Sequence, residues 1–156
     1  MTSLTDYAGW LYSQPGLQEL LLGLQDEAGQ DVLLLLTACW LGRRQVEADA
    51  GLWQRLHDSQ TPWRKTVVEP LRQARRSLSG SAATAALYEQ VKACELAAEF
   101  HQLGRLEQLC ALASSTADEP RVCTWAHLVR CCGELQDARL RQLADAAAWI
   151  PGFRRG

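Results

Sequence analysis

"GQDVLLLLTACWLGRR", residues 29–44, is the stretch whose reading decides the fold. From Val32 to Leu41 it carries no charge and one hydroxyl, that of Thr37. A membrane-spanning helix needs about 20 apolar residues. This run is half as long and is bracketed by Asp31, Arg43 and Arg44. A secretion signal would place its apolar core near the start, behind positive charge, whereas "LQDEAGQD" precedes this one. The remaining reading is a helix buried on all sides. Asp31 suits its N-cap, and Arg43 and Arg44 suit the negative end of its dipole. The segment, about residues 31–44, therefore reads as the central helix of a compact all-α, multi-helix bundle. Leu36 and Trp40 are expected in its core.

Other helices wrap this one. Leu4, Tyr7, Ala8 and Leu11 fall at helical spacing, and "SQPG" ends that helix. Leu17, Leu20, Leu21 and Leu24 form the stripe of a second, which "DEAGQ" closes. A short helix is expected around Leu52, Trp53 and Leu56. Thr61 then reads as the N-cap of a new helix with Pro62 at its first position. Its core stripe would be Trp63, Val67, Leu71, Ala74 and Leu78, kinked near Thr66 by Pro70. Residues 81–113 hold no proline and predict the longest helix, with Gly104 its one weak point. Two apolar faces are expected on it, Leu87, Val91, Cys94 and Ala98 on one and Leu96, Phe100 and Leu103 on the other. A C-terminal helical hairpin, about residues 118–150, follows a bundle core of about residues 1–113. Val122, Trp125, Val129 and Cys132 mark its first arm, and Leu140, Leu143, Ala147 and Ile150 its second. All 156 residues read as one domain.

Composition bounds the function classes. The net charge is −2, with nine acids and eight bases in residues 1–80 and the same again in residues 81–156. Nothing in this balance favours nucleic acid or an anionic membrane as a partner. Fourteen of the sixteen cations are Arg, so an Arg cluster here carries less information than usual. The six cysteines lie within amphipathic segments, and the start has neither a basic nor a continuous apolar region. They are expected to be small buried residues with free thiols in a reducing cytosol.

Three sets of residues could carry chemistry. Cys123, His127 and Cys131 share one helix face, but eight residues of helix span about 12 Å, too far for both thiols to reach one metal ion. Buried thiols beside a partly exposed histidine are the expectation, with no metal and no cofactor. Asp26, Glu27 and Asp31 form an acidic cluster, in which capping accounts for Asp31 and a solvated turn for the others. Lys65, Glu69, Arg72 and Arg76 recur at helical spacing outside the Trp63/Leu71 face, a stripe that could hold phosphate or an acidic partner or simply be solvated. Arg72 and Arg76 are expected to be exposed, and Arg64 to be paired inside. No P-loop, dinucleotide-binding glycine pattern or nucleophile elbow is present.

Pro15-Gly16, Gln25-Asp26, Gly29, Asp31, Trp40-Leu41, Trp63-Arg64 and Pro70-Leu71-Arg72 together resemble a family of small proteobacterial proteins of undetermined function, over about residues 10–100. The resemblance implies a bacterial, cytoplasmic, helical protein and carries over no catalytic residue. The functional expectation is a non-enzymatic helical adaptor that docks a protein partner through the basic stripe or the hairpin. The alternative is an enzyme or small-ligand binder built on Asp26, Asp31, Arg64 and Arg72. A closed pocket at those charges would favour the second, and charges splayed on a convex surface the first.

Overall fold

The computed structural model describes residues 2–149, without the side chain of Trp149. Ile150, the last residue of the predicted hairpin stripe, lies outside the described residues. Among the described residues eight α-helices follow one another: α1 (Leu4–Tyr12), α2 (Leu17–Ala28), α3 (Val32–Arg43), α4 (Ala50–Trp63), α5 (Glu69–Ser77), α6 (Ala85–Leu109), α7 (Pro120–Cys132) and α8 (Ala138–Trp149). Among the described residues the only β pairing is an isolated bridge between Val46 and Ser115. The fold is all-α.

α3 is the buried centre. Every residue from Leu33 to Gly42 is buried, with Leu36 4% and Trp40 2% exposed. Asp31 caps it, one carboxylate oxygen accepting from the N–H groups of Leu33 at 2.9 Å and Leu34 at 3.3 Å. At the other end the Arg43 guanidinium donates to the Ala147 carbonyl, and Arg44 lies 4.3 Å over the Trp40 ring. Gly29, at φ 66°, closes α2 in a left-handed conformation that costs glycine little. One core gathers Leu4, Tyr7 and Leu11 of α1, Leu21 and Leu24 of α2, and Trp53 and Leu56 of α4. It also takes Leu106 of α6, Leu128 of α7 and Leu143 of α8.

α7 has the most extensive packing against α3, so the hairpin is part of the central layer. The two backbones meet at Gly42, where a β-carbon would sit 2.4 Å from the Thr124 α-carbon.

The chain between Trp53 and Leu78 departs from the sequence reading. α4 runs straight through Thr61 and Pro62, so Thr61 caps nothing. Pro62 withholds a hydrogen bond only from the carbonyl of Asp58, a residue exposed to solvent. The irregularity expected near Thr66 is a π turn over Arg64–Val68, closed by the Glu69 N–H on the Arg64 carbonyl. Pro70 supplies the reason, since it has no N–H for Thr66 and its ring would crowd that carbonyl.

The π turn takes in one extra residue and advances the register by one. The face turned inward is therefore Val68, Arg72 and Arg75 in place of Val67, Leu71 and Ala74. Val68 is buried, Val67 and Leu71 are half-buried, and Ala74 is exposed. α5 buries no residue, and neither do the first ten residues of α6. These two segments form an arm whose extensive packing is on itself and the π turn.

α6 is the longest helix, as expected, but it does not carry two buried apolar faces. Its buried line runs Glu95, Gln102, Leu106 and Cys110, with Leu103 beside it, while Leu87, Leu96 and Phe100 are 46–49% exposed. Cys94 is exposed, contrary to the expectation for all six cysteines; the others are buried or half-buried, and all are free thiols.

Candidate functional site

The histidine of the Cys/His set is structural. His127 is fully buried, not partly exposed. Its Nδ1 accepts from the Trp53 indole N–H at 2.9 Å, and its Nε2 lies 2.7 Å from the Val46 carbonyl oxygen. These partners require the neutral Nε2–H tautomer. Burial holds its pKa below the usual histidine value, against the Val46 hydrogen bond. The stability it contributes is therefore complete above the unfolded-state pKa of about 6.5 and is lost as pH falls through the lower folded value. We expect an NMR titration to show this tautomer persisting to below pH 6.5; a cationic ring at pH 6.5 would contradict the assignment. Among the described residues no group of three His, Cys, Asp or Glu side chains could hold a metal ion.

Charged side chains converge instead where the π turn, α5 and α6 meet the start of α3. Asp31, 8% exposed, turns its second oxygen to the amide of the buried Gln60 at 2.9 Å and to Arg64 Nη1 at 3.5 Å. Arg64 is thus the internally paired cation, as expected, and its Nε lies 3.4 Å from Glu69. About two helical turns further on, Arg72 and Arg75 close on Glu95. Arg72 Nε is 3.2 Å and Arg75 Nε 2.5 Å from its two oxygens. Arg72 Nη2 also reaches Glu99 at 3.7 Å.

This arrangement corrects the basic stripe. Arg72 has a side chain only 19% exposed and is an internal ion-pair partner, because the π turn rotates it toward α6. Arg76 is exposed, as expected, and lies 3.8 Å from Asp26. Lys65 and Glu69 are exposed, so the inward Arg72 interrupts the expected stripe between them and Arg76. Asp26 and Asp31 also separate, the first on the surface and the second at the heart of the cluster.

Sequence reasoning missed Gln60, Glu95 and Glu99. The signal for the last two was present: "ELAAE" spaces its carboxylates four residues apart, on one helix face. Glu99 has the weakest pairing of the three inner acids. Burial first, then Glu95 and Asp31, push its carboxyl up to about 7, against the pull of Arg72 and Arg75. Tyr12 of α1 is raised too, by burial first and then by Glu99. Three cations (Arg64, Arg72, Arg75) stand here against the carboxylates of Asp31 and Glu95 and the raised carboxyl of Glu99.

Two concavities lie away from this cluster. One, of about 250 Å³, is bordered by Glu47, Asp49 and Arg55. The other is an open groove of about 880 Å³ beside the α7–α8 turn, lined by Trp125, Val129 and Leu140 among others. Arg141 covers the Trp125 ring at 3.7 Å. The first has Ser114 beside Glu47, Asp49 and Arg55 on its lining, and the second carries Glu134, Gln136 and Asp137 beside its apolar groups.

No helix among the described residues is long and apolar enough to cross a membrane. No curated protein and no solved structure matches this chain. The profile of the family described as "Protein of unknown function (DUF2390)" matches residues 3–106, from the first helix through Leu106 of α6, with the whole charge cluster inside the match and α7 and α8 beyond it. The chain belongs to that family.

Proposed function

We propose that this chain is a non-enzymatic helical adaptor of a bacterial cytosol, and that it docks an acidic amphipathic helix of a protein partner on α6, at the foot of the α5–α6 arm. The observation that carries the reading is Leu96 and Phe100, 49% and 46% exposed one turn apart on α6. Side chains at that spacing give an incoming helix a ridge to pack on. Charge supports the choice of partner. From Arg64 to Leu96 the chain has six cations (Arg64, Lys65, Arg72, Arg75, Arg76, Lys92) against Glu69, Glu89 and Glu95, within a chain of net charge −2. The free thiols suit a reducing compartment. The inner arginines are engaged by neighbouring carboxylates.

The double substitution Leu96→Asp with Phe100→Asp tests this. Co-purification of the native partner should be lost, with thermal stability changed little, since exposed substitutions usually move it by about 0.5 kcal/mol or less each. The wild-type complex should also weaken as salt rises. Undiminished capture by the double variant would overturn the proposal.

One observation favours a second reading, a small-ligand site at Asp31, Arg64 and Arg72 with Asp26 at its rim: Glu99 titrates near neutrality among arginines. Ligand-induced thermal stabilisation in a metabolite screen, abolished by Glu99→Gln, would support it over the adaptor.

A further inference from the structure

α7 is apolar on two faces, and only one of them is covered. The inner face, Cys123, Thr124, His127, Leu128 and Cys131, is buried in the bundle. The stripe expected from the sequence to face inward, Val122, Trp125, Val129 and Cys132, is the outer one. Val122 is 54% and Val129 44% exposed, with Trp125 and Cys132 half-buried at the edge. Their spacings of three, four and three residues draw one line along the helix, the seam pattern of paired helices. Toward the end of α7 the line opens into the groove beside the α7–α8 turn, which adds Leu135 and Leu140. Single apolar side chains are ordinary on a surface, whereas a line of them running into a groove marks a contact.

The charges beside the line fit one occupant. Glu119 and Arg130 are exposed at opposite ends of α7 and lie about three turns apart, on the same flank of the line. Neither forms an ion pair among the described residues, whereas Arg121, on the other flank, is held by Asp145 of α8 at 2.7 Å. A second α7 laid antiparallel on the line, with a two-fold axis between Trp125 and Ala126, sets Val122 of each copy against Val129 of the other. The same rotation keeps like flanks together, so Glu119 of each copy comes alongside Arg130 of the other. The face is thus complementary to itself in shape and in charge.

We propose that this chain pairs with a second copy of itself through the outer face of α7, antiparallel about a two-fold axis. The contact is short. α7 has 13 residues, about 20 Å of helix, so the area buried falls near or below the roughly 1,200 Å² at which stable interfaces begin. The dimer is therefore weak and forms with rising concentration. Its face lies beyond the family match and on a different helix from Leu96 and Phe100, so pairing and partner docking fail separately.

Sedimentation equilibrium at low salt, from about 1 µM to about 1 mM, reads the association. The wild type should pass from monomer to dimer within that range. Val122→Asp with Val129→Asp should stay monomeric throughout and keep a thermal midpoint close to that of the wild type, since both side chains are exposed. Glu119→Arg and Arg130→Glu, each alone, bring like charges together twice and should weaken the dimer roughly tenfold. Combined in one chain they exchange the charges and should restore it. A wild type that is monomeric at the highest concentration would overturn the proposal, and so would a dimer that survives the valine substitutions. Single charge reversals without effect, or a combination that restores nothing, would overturn it too.

Discussion

Gly42→Ala should cost this protein most of its stability, on the order of 4 kcal/mol or more, or prevent folding. The added β-carbon would lie 2.1 Å from Thr124 Oγ1, 2.4 Å from its α-carbon and 2.6 Å from its backbone nitrogen. The first atom could rotate away, but the other two are backbone. Relief requires α7 to retreat from α3 by about 1 Å along the closest contact in the centre of the fold. That retreat would loosen Leu128 and Cys131 from the core and strain the His127 bonds to Val46 and Trp53. Overpacking usually costs about 1–3 kcal/mol where side chains can adjust. Here the obstacle is main chain, so the upper end is the starting point.

Two controls separate this from a general intolerance of alanine. Gly104→Ala, in the exposed interior of α6, should be neutral or stabilise by about 0.5–1 kcal/mol. Thr124→Gly should not rescue Gly42→Ala, because of the three obstructing atoms it removes only Oγ1 and leaves the backbone pair. Chemical denaturation of the four variants decides it. A Gly42→Ala midpoint near wild type would mean that α3 and α7 do not cross this closely.

How legible this was depends on the scale of the feature. The central helix could be read directly, because ten uncharged residues behind an Asp N-cap leave few alternatives. Its cap, buried face and basic end appear as expected, and so does the all-α architecture. The close approach at Gly42 was not legible, since a glycine closing an apolar helix also suits a plain terminus. Thr61-Pro62 misled for a physical reason: it is a sound start signal, yet Pro62 faces solvent and its lost hydrogen bond is inexpensive.

The cluster was lost to register. A 3.6-residue period carried through residues 63–78 assigns Leu71 to the inside and Arg72 to the outside. One extra residue in the π turn reverses that assignment, and no periodicity argument sees it. Arg64 precedes the extra residue and was read correctly. Arg72 follows it and was not. Glu95 and Glu99 then went unremarked because their partners had been placed on the opposite face.

Asp31→Ala should cost about 3–5 kcal/mol, because one side chain serves two structures at once. Its Oδ1 caps α3, a function usually worth about 0.5–2 kcal/mol. Its Oδ2 accepts from Gln60, which is 1% exposed and would be left with an unpaired amide, a further 1–3 kcal/mol or so. Arg64 loses its internal partner but keeps Glu69 and, at 25% exposure, some water, so its share is the smallest. Asp31→Asn divides these contributions. The new side-chain oxygen can still cap Leu33 and Leu34, while the new amide group faces Gln60 donor to donor. Gln60 can answer by turning over, since its Oε1 has no hydrogen-bond partner and would then accept from the new amide. The pairing with Arg64 is then lost and the turned amide N–H groups take the unpartnered place of Oε1, so the variant should cost about 1–3 kcal/mol, still less than the alanine change. Equilibrium denaturation of the Ala and Asn variants reads the difference. Equal losses would mean that the buried charge matters more than the hydrogen bonds it accepts, and would move the weight of the cluster from the Gln60 contact to the ion pair.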